Sequence, residues 1–210
     1  MRLLQERFNQ LPLRAHSLLT GVPLRTLYRL DLPGGRQAMT LPEIQDVLGF
    51  KGGDDNEAGR VTRALFWLRG LIGRFLRWDE APELAEAHTY LTRLSEADRA
   101  RSLVTPGAPA GISRVLYSFE HEFLAEIINR TVHCFWLIAA QPSAAGYTLY
   151  FAVYVKKLNW FTPIYMALIT PLLKGVIYPA MLKSCRRHWE RAFPVSVGRH
   201  DITGQPVAGS

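Results

Sequence analysis

The chain has 210 residues, 48% hydrophobic and 20% charged, with a formal net charge of +7. That length suits one domain with a full-sized core. The two cysteines, Cys134 and Cys185, have no CxxC pairing and no histidine at zinc-ligand spacing, which excludes a disulfide scaffold and points to no metal site.

The first segment, MRLLQERFNQLPLR, has no apolar run of the kind a secretory leader needs, and with two free thiols a cytoplasmic setting is expected. Residues 1–11 read as a lead-in, 12–193 as a single domain and 194–210 as a flexible tail. LRTLYRLDLP, from Leu24, alternates as a strand and ends at the turn Pro33-Gly34-Gly35. Thr40 and Glu43 then form a capping box, which predicts a short helix through Val47 and Leu48. Residues 51–59 are a polar loop. Residues 60–78 carry an amphipathic helix whose apolar stripe includes Val61, Leu65, Leu68, Ile72 and Phe75, with several arginines and no acid. An acidic, polar, helical or irregular segment follows at about 82–98, then a loop at 105–111.

From Ile112 the period changes to two. ISRVLYSFEHEF reads as one strand, with Val115, Tyr117, Phe119, His121 and Phe123 alternating against Arg114, Ser118, Glu120 and Glu122. LAEIIN, a strand TVHCFWLIAA, a turn QPSAAG and a strand YTLYFAVYVKK come next. Both faces of the last two strands are apolar, so the pattern does not say which face looks inward. Hairpin-length connections argue against a parallel sheet.

The most apolar stretch is residues 159–182. Its uninterrupted run, Trp160 to Leu173, is shorter than the roughly 20 residues a bilayer span needs. Prolines at 163, 171 and 179 predict a short helix from about 163, a kink near 171 and a second helix to about 192. In that second helix Ile177, Tyr178, Met181, Leu182, Cys185 and Trp189 share one face, with Lys183, Arg186, Arg187 and Glu190 opposite. The expected architecture is α+β: a curved antiparallel sheet against a long kinked C-terminal helix, with further helices in the N-terminal half.

Three stretches carry a resemblance: EFLAEIINRTVH, GYTLYFAVYVK and IYMALITPLLKGVIYP. With LRTLYRLDLPGG and ALFWLRGLIGRFL they are similar to the DUF2867 family over most of residues 12–193. The resemblance implies a START-like, helix-grip (SRPBCC) fold, related to polyketide cyclases and lipid-binding proteins, with a cavity between sheet and C-terminal helix. No GxGxxG fingerprint occurs, so no dinucleotide site is carried over and no cofactor is expected.

Within that frame Glu122, Glu126 and His133 are the candidate catalytic groups, because desolvation in an apolar cavity shifts carboxyl and imidazole pKa values in favour of the neutral forms and suits them to acid–base work. Tyr117, Asn129, Trp136, Tyr150, Tyr154 and Tyr165 are the candidate ligand-binding residues. The expected ligand is a hydrophobic small molecule, bound or processed by a cofactor-independent cyclisation, isomerisation or dehydration. The alternative is a non-catalytic lipid carrier that makes peripheral membrane contact through residues 60–78. The basic stretches come with no zinc finger, KH loop or RNP box, so no nucleic-acid partner is expected. The sequence leaves the oligomeric state open.

Overall fold

The computed structural model describes residues 2–50, 87–111, 113–128, 132–160 and 162–194, with Tyr165 and Leu168 described by backbone alone. The helix read at 60–78, the loop before it and the tail from 195 lie outside the described residues, as do residues 82–86 of the acidic segment. The chain opens with two helices that periodicity does not announce, α1 (Arg2–Asn9) and α2 (Arg14–Leu18). Residues 2–9 are thus part of the fold, and Phe8 is fully buried.

Strand β1 (Leu24–Pro33) and helix α3 (Leu41–Val47) fall where the alternation and capping box put them. The Thr40 N–H donates to Glu43 Oε2 at 2.8 Å. After a 3-10 turn at Tyr90–Arg93 and helix α4 (Glu96–Arg101) come β2 (Pro109–Ala110), β3 (Ser113–Ser118) and β4 (Glu122–Ile128). The single strand read over ISRVLYSFEHEF is therefore a hairpin. The Phe119 N–H donates to Glu122 O at 2.7 Å, which reverses the chain at Phe119–His121. Alternation continues through the turn residues, so the period alone conceals the break.

Strands β5 (Val132–Ser143) and β6 (Gly146–Lys157) form a long hairpin around Ala144–Ala145. A Cβ at Gly146, whose φ is +143°, would sit 2.3 Å from the Leu32 carbonyl oxygen. No other residue fits there. All six strands are antiparallel, in the order β1-β6-β5-β4-β3-β2. β5 and β6 at the centre are apolar on both faces because both faces are covered. Phe135, Leu137 and Ala139 with Tyr150, Ala152 and Tyr154 pack under α1, α2 and the 3-10 turn. Ile138 and Ala140 with Leu149, Phe151 and Val153 pack under α3 and the C-terminal helix.

That C-terminal helix comprises α5 (Thr162–Leu172), a π-helical turn (Leu173–Ile177) and α6 (Tyr178–Ala192). Pro171 lies inside α5 and does not open a new helix. Two prolines remove donors from successive turns, and the widened π turn lies between them. Ile177, Tyr178, Cys185 and Trp189 are buried, as the sequence face predicts. The Trp189 Nε1–H donates to Pro33 O at 2.8 Å, tying α6 to the end of β1. The result is an α+β fold in which a curved six-stranded antiparallel sheet holds a long C-terminal helix, a helix-grip arrangement.

Candidate functional site

The structure gathers most of the expected site residues on one face of the sheet, the one away from the C-terminal helix. Glu122 pairs in register with Ala139, Glu126 with Phe135, and His133 with Lys156. Tyr117, Tyr150 and Tyr154 belong to the same apolar layer under α1 and α2. Trp136 faces the opposite way and packs edge-on to Phe151, beneath the C-terminal helix, with ring centroids 5.8 Å apart. Asn129 and the Tyr165 side chain lie outside the described residues. The cavity side implied by the resemblance therefore receives Trp136, while the other described residues lie on the face covered by α1, α2 and the 3-10 turn.

Two polar centres sit on that layer. In the first, Glu122 is buried and accepts from the Arg14 N–H at 2.8 Å, the Ala15 N–H at 2.8 Å and the Tyr117 hydroxyl at 2.6 Å. Arg14 and Ala15 open α2, whose N-cap Leu13 has no side chain able to cap it. A carboxylate from the sheet thus caps the helix and answers its dipole. Burial, then the neighbouring Glu122 charge, pushes the Tyr117 phenol well above its ordinary pKa. Burial pushes Tyr154 up to about 12. Both phenols are therefore protonated donors at neutral pH.

In the second centre Glu126, 2% exposed, accepts from the Thr89 hydroxyl and, at 3.0 Å, from the Tyr90 N–H. The same carboxylate lies 2.8 Å from His133 Nε2. Both Glu126 oxygens act as acceptors, so Nε2 carries the proton and donates, which leaves Nδ1 as a bare acceptor. Among the described residues Nδ1 has no hydrogen-bond partner, and His133 is fully buried. Phe135 and Tyr90 enclose the ring, with centroids 4.1 and 5.1 Å away. Burial pushes the His133 pKa down, against the pull of Glu126, with Lys156 and His88 adding to the depression. The imidazole is held neutral, its tautomer set by a carboxylate, as a general base requires.

Glu126 also lies at a groove of about 330 Å³ at the β2–β4 end of the sheet, lined further by Gly107, Pro109, Gly111, Ser113, Arg114 and Ile128. Arg114, half-buried, is the register partner of Glu126 and brings a cation to the groove. Arg114 and Thr89 are not among the site residues that the sequence suggests. Arg114 sat among the polar positions of a supposed single strand. Thr89 gains its role only by contact with a residue 37 positions away. Among the described residues no cluster of three His, Cys, Asp or Glu side chains could hold a metal ion.

A search of curated proteins finds none that matches the chain. Residues 18–181 match the family described as a protein of unknown function (DUF2867), and with most of its length inside that match the chain belongs to this family.

Proposed function

We propose that the protein binds a hydrophobic small molecule with a polar head, received in the groove beside β2–β4 with Arg114 at its rim and the Glu126–His133 pair behind it. The observation that carries this reading is the fully buried His133 Nδ1, a hydrogen-bond acceptor with no partner among the described residues. Such a group is costly to leave unmet, by about 1–3 kcal/mol, and a ligand donor offsets that loss. The groove volume lies at the lower end of the range for small-molecule sites.

If the bound molecule reacts, His133 is the base and Glu126 holds its tautomer. The chemistry is then a proton transfer that initiates cyclisation, isomerisation or dehydration without a cofactor, of the polyketide-cyclase type. Membership of the START-like superfamily, with a ligand cavity and a cytoplasmic location, belongs to the same proposal. A non-catalytic carrier is the second reading. It is favoured by the double duty of the carboxylates, since Glu122 and Glu126 spend their oxygens on backbone N–H groups of α2 and the 3-10 turn.

The test uses a hydrophobic, anionic naphthalene-sulfonate dye as probe, with native mass spectrometry of the freshly purified protein. Arg114→Ala is expected to weaken dye binding about tenfold at unchanged melting temperature, roughly the effect of one charge-assisted contact. Equal binding by Arg114→Ala would remove the groove from the proposal. His133→Phe removes the Nδ1 acceptor and should weaken binding in both readings; turnover by the unaltered protein that the variant loses marks an enzyme, and no turnover in either protein marks a carrier.

A further inference from the structure

Helix α5 has an outer face that water does not explain. Between Lys157 and Lys174 the sequence has no charged residue. Met166, Leu172, Leu173 and Ile177 turn toward the sheet. Ile164, Ala167 and Pro171, at helical spacing, turn away from it and are exposed. Ile164 is 53% exposed, Val176 56% and Trp160, just before the helix, 76%. The continuous helix Thr162–Ala192 is long and apolar enough to cross a membrane by length and composition, yet only 6% of its most apolar window is buried in the fold.

Charge selects the kind of surface that covers this face. No aspartate or glutamate occurs between Glu126 and Glu190, while Lys157, Lys174, Lys183 and Arg186 are all exposed along or beside the helix. An apolar stripe with cations at both ends and an aromatic at its edge is the pattern of an element lying in the headgroup region of an anionic bilayer. Self-pairing of the same face across a two-fold would bring cations toward cations, with no acid between those limits to answer them.

Geometry decides between spanning and lying on the bilayer. The 11 residues of α5 reach only about 16 Å at 1.5 Å per residue, about half of a hydrocarbon core of ~30 Å. The remainder is not free to follow. Cys185 and Trp189 are buried against the sheet, and the Trp189 indole is bonded to Pro33 O.

We infer that the outer face of α5 docks the protein reversibly on an anionic lipid surface, with Ile164, Ala167 and Pro171 in the interface and Lys157 and Lys174 on the headgroups. This face and the Arg114 groove share no residue, so either fails without the other. The probes are phosphatidylcholine vesicles and mixed phosphatidylcholine–phosphatidylglycerol vesicles, in co-sedimentation with the full chain. The expected result is binding to the mixed vesicles alone, weakened by salt. Ile164→Asp and, independently, Ala167→Glu should weaken it tenfold or more at unchanged melting temperature. Four results overturn the inference: no vesicle binding; binding indifferent to both substitutions; a concentration-dependent dimer that the substitutions abolish, which assigns the face to a second copy; and carbonate-resistant integration, which makes the helix a span.

Discussion

Replacing Glu122 by glutamine tests whether this carboxylate is structural. The side chain is 5% exposed, and its two oxygens take the Arg14 and Ala15 N–H groups and the Tyr117 hydroxyl. Glutamine keeps the shape and one acceptor oxygen, but it turns an NH₂ toward at least one backbone donor. Hydrogen bonds to a charged group contribute about 1.5–3 kcal/mol each, and a donor left unpaired in the interior costs about 1–3 kcal/mol. With the amide nitrogen in place of Oε2, the Ala15 and Tyr117 bonds survive in weakened form and the Arg14 N–H is left facing a donor, so the expected loss is about 2–4 kcal/mol. With a urea m-value of about 2–3 kcal/mol/M, the unfolding midpoint should fall by about 1–2 M at unchanged m. Tyr117→Phe removes a single bond and should destabilise by about 1–2 kcal/mol. The double variant should fall short of the sum, because both changes act on one network. Glu120→Gln, at an exposed position two residues away, is the control. A midpoint for Glu122→Gln within error of the control would refute the capping role and return Glu122 to the list of acid–base candidates.

Gly146→Ala should destabilise by about 2 kcal/mol or more in the same urea assay, since its Cβ would meet the Leu32 and Gly34 carbonyl oxygens at 2.3 and 2.5 Å; a neutral result would mean the β5–β6 turn is placed wrongly. The Cys134 and Cys185 thiols are each pushed up to about 12 by burial, so labelling at neutral pH should be slow in native protein and fast after denaturation. Because the folded-state pKa of His133 is depressed, the unfolded chain binds its proton first. Stability should therefore fall as pH drops below about 6.5, and His133→Phe should flatten that part of a pH series of urea midpoints. Asp98 is held down at about 2, first by the Arg14 hydrogen bond and, after the opposing effect of burial, by the Ser95 N–H. Its contribution is complete above its unfolded pKa of about 4 and should be lost as pH falls from there toward 2; Asp98→Asn should remove that step.

The α+β class, the strand at Leu24–Pro33, the capping box at Thr40 and the buried face of α6 were all legible in the sequence. Each is a local property: a period, a cap or a turn written within a few consecutive residues. The interrupted helix near Pro171 was legible for the same reason, although whether the chain would end there or widen into a π turn was not.

Tertiary structure alone decided which side of the sheet each group serves. β5 and β6 are apolar on both faces because helices cover both, and a doubly buried strand carries no alternation from which to read an inside. The hairpin at Phe119–His121 is invisible to periodicity because its residues continue the alternation on either side of it. Glu122 and Glu126 looked like candidate acids by residue type. What they do depends on donors 108 positions away at Arg14 and 36 away at Tyr90. The pairing of Glu126 with His133 crosses only seven positions, yet it needs the strand register that places both side chains on one face. A side chain's chemistry is set by its partners, and here the partners come from chain closure over distances that no local pattern encodes.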